Sequence, residues 1–435
     1  MNLILKAILS LGLCLICLHA FPQYDDLNSK IDQLAEEIEE SVVKWRRHIH
    51  QNPELSNREF KTAAYIAKHL NSLGLEVQTD IAHTGVVGIL KGGMPGPVVG
   101  LRADMDALPV VERTPLPFAS KVTSVYNGQD VGVMHACGHD SHVAILMGVA
   151  SVLTEVKAQI PGTVKFIFQP AEEGAPQGEE GGAKLMVEEG ALKNPDVDAI
   201  FGLHISSKIP VNYLAYRSGG IMASADYFEI IVRGKQTHGS SPWAGADPIV
   251  AAAHIITGLQ TIVSRRMPLT QNAAVVTVGA IHGGVRNNII PEEVKMVGTI
   301  RALDPEMQKE IHKQIHLTAT NIAESMGTTA EVNIPMGAPV TYNDPTLTEK
   351  MLPTLKEVAG GRQTILMNAT TGAEDFSFFQ REVPGVYFFL GGMAPGKRPE
   401  EVASHHTPDF YIDESGFVLG IRSMARMALD YLRMK

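Results

Sequence analysis

A chain of 435 residues is long enough for two or three compact units and a large buried core. Hydrophobic residues at 45% and charged residues at 19% describe a folded globular protein and exclude a disordered or collagen-like chain. The formal net charge of −10 excludes a global attraction to nucleic acid or anionic lipid.

The chain opens with a nearly apolar run from Ala7 to Leu18 behind Lys6, with Ala20 at a plausible cleavage point. Phe21-Pro22-Gln23 and the acidic pair Asp25 and Asp26 stop this run short of the roughly 20 apolar residues that a spanning helix needs. Residues 1–20 are therefore expected to be a secretory signal, the mature chain periplasmic or secreted, with no stable membrane anchor once the signal is removed. Cys14 and Cys17 leave with it. Cys137 is then the one remaining cysteine in an exported chain, which points to a buried or metal-bound sulfur.

From Leu27 to Ile49 apolar residues recur at three- and four-residue steps, predicting an amphipathic helix, and a second is expected at Lys61–Leu73 before Gly74. Strands at Val86–Leu90 and Val98–Leu101, a helix at Val143–Leu153, and strands at Thr163–Phe168 and Ala199–Leu203 follow. This alternation predicts an α/β layered domain with a central, mostly parallel sheet. Near Ala223 the pattern becomes strand (Tyr227–Val232), helix (Pro248–Val263), strand (Ala273–Val278), strand (Val294–Ile300), helix (Glu306–Met326) and strand (Thr329–Ile334), the ferredoxin-like α+β plan. It reads as an inserted domain. Helix, strand, helix, strand and a last helix at Phe417–Leu432 then resume the α/β alternation. The expected organisation is signal 1–20, catalytic domain 27–220, inserted domain 221–335 and catalytic domain 336–435.

The densest chemistry is Met134-His135-Ala136-Cys137-Gly138-His139-Asp140-Ser141-His142, a thiol and three imidazoles just ahead of a predicted helix. Thiolate and imidazole are zinc-class ligands, with Cys137 and His139 the leading candidates and His135 and His142 expected to be structural or supporting. Phe166-Ile167-Phe168-Gln169-Pro170-Ala171-Glu172-Glu173 sets two adjacent carboxylates at the end of a buried strand. One can ligate a metal while the other carries protons, as metal-assisted hydrolysis requires. His204 is expected at the tip of its strand, and His405-His406-Thr407-Pro408-Asp409-Phe410 places two more imidazoles in a loop. Asp104 and Asp106 follow another strand and either orient histidines or bind directly.

The motifs RADMDALP, MHACGHDSH, FQPAEE, GLH, GAEDFS and HHTPDF, in this order across nearly the whole mature chain, resemble the aminoacylase-like metal-dependent amidohydrolases, in the branch of the hippurate and indoleacetyl-amino-acid hydrolases. The resemblance implies a two-metal centre held by Cys137, His139, Glu173, His204 and His406, with His-x-Pro-x-Phe spacing favouring His406 over His405. It implies Glu172 as general base, Asp104 as the aspartate that orients the metal site, and a lid and dimerisation role for the inserted domain. His238 then falls at the lid histidine that reaches the scissile carbonyl, and Asn288, with Arg286, at the anchor for the substrate carboxylate. A homodimer is implied as well.

The expected reaction is hydrolysis of a small-molecule N-acyl amino acid to a carboxylic acid and an amino acid, using two divalent metal ions. Zinc or manganese suits the donor set first, with cobalt or nickel also compatible. The rival expectations are an exported metallo-exopeptidase that cuts dipeptides and a non-catalytic metal-binding protein. A spare carboxylate at Glu172 argues against the latter.

Overall fold

The computed structural model describes residues 21–434, so the expected signal lies outside the described residues. The chain divides into two compact units, one running up to Tyr216 and continuing through Thr346–Leu366 and from Val383 onward, the other Arg217–Pro345 with Met367–Glu382. Among the described residues no helix is long and apolar enough to cross a membrane.

The first unit is built on an eight-stranded sheet ordered Glu76–Ile81, Gly85–Lys91, Pro161–Gln169, Met94–Asp104, Ala199–Pro210, Gly385–Met393, Leu214–Tyr216 and Thr364–Leu366. Its centre is parallel: Met94–Asp104 pairs in parallel with Pro161–Gln169 and with Ala199–Pro210, which pairs in parallel with Gly385–Met393. Strands covered on both faces need continuous apolar runs, and Phe166, Phe168, Phe201 and Phe388 are fully buried there. Helix His139–Glu155 is buried at every position from His139 to Leu153. It packs on the sheet and against helices Glu39–Gln51 and Phe417–Arg433, which is where a helix apolar on all sides must go.

Two local expectations need correction. The single helix expected over Leu27–Ile49 is two helices, Phe21–Glu37 and Glu39–Gln51, meeting at Ile38. Leu34, Ile38 and Val42 keep helical spacing across the break, so periodicity carries no trace of it. His204 does not end its strand, because pairing with Gly385–Met393 extends that strand to Pro210. The edge strand Glu76–Ile81 escaped the sequence reading because its residues are largely exposed and lack an apolar alternation.

The second unit carries a four-stranded antiparallel sheet ordered Ala274–Gly283, Glu293–Ala302, Asp226–Arg233 and Thr329–Asn333. Helices Pro248–Thr261 and Pro305–Ser325 share its core, completing the ferredoxin-like plan. Both helices start at Asp-Pro. The Asp247 carboxylate accepts from the Ile249 and Val250 amides, and Asp304 from Met307, while the proline occupies the first helical position at which no amide is missed.

Candidate metal centre

The donor residues of the first unit converge because of one glycine. Gly138 takes φ +97° at the start of helix His139–Glu155, and a Cβ there would meet Ile205 Cγ2 at 2.5 Å. The left-handed turn brings Cys137 and His139 back against the strand ends. Gly138→Ala is expected to destabilise the protein by about 2–4 kcal/mol through backbone strain and overpacking. Unchanged chemical-denaturation midpoints would contradict this account.

Cys137 Sγ lies 3.4 Å from His204 Nε2 and 3.3 Å from His406 Nε2. His204 Nδ1 donates to its neighbour's carbonyl, Ile205 O, at 2.6 Å, which fixes the tautomer and leaves the Nε2 lone pair facing the sulfur. His406 sits at φ +63° in a turn held by its amide on Ala136 O, and its Nε2 is also 3.0 Å from Glu173 Oε1. His405 is closer to the thiol than sequence spacing implied, with Nδ1 3.6 Å from Sγ. Both its nitrogens are nevertheless engaged: Nε2 accepts from the Ser207 amide at 3.3 Å and Nδ1 donates to Cys137 O at 3.2 Å. His406 Nε2, by contrast, faces the side chains of two other candidate donors, Cys137 and Glu173.

His139 completes the set. Its Nδ1 donates to Asp106 at the backbone oxygen (2.9 Å) and at Oδ1 (3.1 Å), and its Nε2 is 3.7 Å from Glu172 Oε2 and 4.0 Å from Glu173 Oε1. That Nε2 is buried with no hydrogen-bond partner among the described residues, a state that costs free energy unless something else fills it. Donor atoms of Cys137, His139 and Glu173 lie within 4.8 Å of one another, as do those of Cys137, His204 and His405. The two groups share the thiol. A sulfur, imidazoles and a carboxylate around an orphaned buried nitrogen fit divalent cations of the zinc class.

Electrostatics point the same way. Burial opposes charging His139, yet Asp104, Asp106 and Glu173 around it push its pKa up to about 10, so a positive charge is wanted at this spot. Burial and the carboxylates of Glu173, Glu172 and Asp104 push the Cys137 thiol up, a bias that a neighbouring cation reverses. Burial holds His204 well below the ordinary imidazole range and His405 at about 3, leaving both rings neutral.

The contact with His139 falls to Asp106 and not to Asp104, on which the resemblance places the orienting role. Asp106 touches His139 directly and accepts from Ser56 Oγ at 2.8 Å and from the Glu173 amide at 3.0 Å, so one carboxylate fixes two donors. Asp104 is 3.8 Å from His139 and instead accepts from Arg102 and from His142 Nδ1, each at 2.6 Å. His142 in turn accepts the Ile205 amide at 2.8 Å and steadies the strand beside His204. His135 is buried and kept neutral, its pKa pushed down to about 4.

A match to the family described as "Peptidase family M20/M25/M40" covers residues 100–430. The chain belongs to this family. It is a metal-dependent amidohydrolase of the M20 type. It is 40% identical over 408 residues to thermostable carboxypeptidase 2 of Saccharolobus solfataricus, covering 93% of this chain and 99% of that one. It is 39% identical over 406 residues to the IAA-amino acid hydrolase ILR1-like 2 of Arabidopsis thaliana, covering 92% and 87%. Among solved structures, a Bacillus subtilis dinuclear metal-binding peptidase of the M20 family matches at TM-score 0.77 and 34% identity, covering 92% of this chain and 100% of that one.

The other sequence-predicted residues of this M20 chain lie in the second unit. His238 pairs with Ile289 in a two-stranded ribbon, and the Gly239 amide donates to Asn288 O at 2.9 Å, so His238 and Asn288 are brought together. His238, Arg286 and Asn288 are all exposed. His238 Nδ1 accepts the Ser240 amide at 3.0 Å, which leaves Nε2–H as the outward donor.

Proposed function

We propose that this protein hydrolyses the amide bond of N-acyl amino acids, releasing a carboxylic acid and a free amino acid, at a centre for two divalent metal ions. The observation that carries the reading is Glu172, a second carboxylate that adjoins the candidate donor Glu173 and whose Oε2 stands 3.7 Å from His139 Nε2, within reach of a water at the centre. Cys137, His139, Glu173, His204 and His406 would hold the ions, with Cys137 common to both and zinc or manganese suiting the set. When bound, the ions supply Lewis acidity that polarises the amide carbonyl and acidifies water.

The remaining steps belong to side chains. Glu172 takes the proton of the attacking water and returns it to the departing nitrogen. His238, through its Nε2–H, steadies the oxyanion, and Asn288 with Arg286 receives the carboxylate of the amino-acid product. These three groups are supplied within a homodimer in this reading. Trp243 and Val285, close to them in sequence, are 83% and 96% exposed and offer apolar surface for a second copy. Export after removal of residues 1–20 is part of the same proposal.

A second reading follows from the carboxypeptidase relative: removal of a C-terminal residue also leaves an amino acid with a free carboxylate, so the two activities differ in the acyl side. Amine release from N-benzoylglycine, an N-blocked tripeptide and a free dipeptide separates them, using metal-reconstituted protein without residues 1–20. The expected result is fastest turnover of the acyl amino acid, abolished by chelation. Preference for the blocked tripeptide moves the assignment to the carboxypeptidase, and no turnover with two tightly held metals overturns both.

A further inference from the structure

Ala171, immediately before Glu172, has φ +51°, a left-handed conformation that costs a residue with a Cβ about 1–2 kcal/mol unless its surroundings impose it. The imposing group is Glu59. Its side chain is fully buried, Oε1 accepts the Ala171 amide at 2.9 Å, and Oε2 accepts Thr84 Oγ1 at 2.7 Å.

Glu59 stands at the N-cap of helix Phe60–Ser72, where a carboxylate normally serves the first amides, yet its side chain caps nothing. Glu54 does that work from the preceding loop, accepting the Lys61 and Thr62 amides at 2.9 and 2.8 Å. Glu59 is thereby released for Ala171, in a site where burial and the nearby Asp106 push its pKa up to about 8. A buried acid that neither caps its helix nor meets a cation needs another use.

Its neighbours have related ones. Ser56 holds Asp106, Asn57 Nδ2 donates to Glu180 O at 2.9 Å, and Arg58 Nη1 donates to Glu179 Oε2 at 3.0 Å. The segment Ser56–Glu59 thus grips the acidic loop at both ends, with Glu59 on the end that carries Glu172 and Glu173.

We propose that Glu59 is a positioning residue for catalysis, holding the Ala171 amide so that the left-handed turn sets Glu172 at its working position. The inference rests on Glu172 as the general base. It requires reach rather than charge, because the amide needs an acceptor at this distance and nothing else.

The test compares Glu59→Asp, which keeps the carboxyl group but withdraws the acceptor by one methylene, with Glu59→Gln, which keeps the acceptor and turns its amide toward Thr84 Oγ1. Both are made in the full mature chain, assayed with N-benzoylglycine at saturating metal, or with whichever amide of the panel is turned over fastest, alongside Glu172→Gln. Glu59→Asp is expected to lose kcat by about 10- to 100-fold with KM nearly unchanged, as a misplacement of the order of 1 Å does. Glu59→Gln is expected to stay within about threefold of the parent, since its acceptor has not moved.

A folded Glu59→Gln with a large loss of kcat overturns the inference, and it decides the matter even if Glu59→Asp fails to fold. So does a Glu59→Asp with parental kcat. A purely structural role lowers the melting temperature without this split between the two variants. If Glu172→Gln turns over at the parental rate, the base assignment fails first and independently of either Glu59 variant.

Discussion

Glu172→Gln is expected to lower kcat by about 10³-fold or more, within the span that a positioned proton carrier contributes, while the metal content is unchanged. The substitution keeps the shape of the side chain and removes its capacity to take a proton. Glu172 is not needed for the donor set, since His139, Glu173, Cys137, His204 and His406 surround the site without it. KM should change little, because substrate affinity in this reading is carried by Asn288 and Arg286. The measurement is steady-state amine release paired with metal analysis of the same sample. A variant that keeps both metal content and parental rate sinks Glu172 as the base, and one that loses metal shows instead that Glu172 is a ligand.

The proposed centre was legible in unusual detail because its chemistry sits in local runs. Cys137-Gly138-His139 and Ala171-Glu172-Glu173 each declare a donor and its neighbour within three residues, and the structure brings Cys137, His139 and Glu173 together. The positions that escaped act at a distance in sequence. Glu59 meets Ala171 across more than a hundred residues, and nothing about a glutamate ahead of a helix distinguishes this use from ordinary capping. Spacing alone left Asp104 and Asp106 undivided, since both lie in one short motif, and the resemblance placed the orienting role on Asp104. Only the structure shows that Asp106 touches His139 while Asp104 is occupied by Arg102 and His142. His405 and His406 are adjacent, and spacing favoured the second. What distinguishes the two rings is what they face, backbone groups for His405 and the side chains of Cys137 and Glu173 for His406, which no linear pattern encodes. In the fold, the strand-helix-strand-strand-helix-strand order made the second unit readable, whereas the break at Ile38 preserves the apolar period and leaves no mark.

Cys137→Ala should have the widest consequence for metal content, because its sulfur belongs to both donor groups. Losing His204 removes a donor from one group, and losing His406 removes the imidazole that faces both Cys137 and Glu173; losing Cys137 opens both groups. Metal content is expected to fall from two per chain to below one in Cys137→Ala and to about one in His406→Ala, since each site is a small closed set of donors. His405→Ala should keep two, since that ring spends its nitrogens on Ser207 and Cys137 O. Stability follows metal content. At a free-metal concentration about 1,000 times the dissociation constant, binding contributes about 4 kcal/mol, so chelation should lower the melting temperature of the parent and leave Cys137→Ala almost unmoved. The charge pattern makes the same demand: Asp104, Asp106 and Glu173 around His139 push its pKa up to about 10, so a cation is favoured at this spot. Retention of two ions by Cys137→Ala would show that the thiol stands beside the centre rather than within it, and a loss on His405→Ala equal to that on His406→Ala would return the ligand assignment to the neighbouring ring.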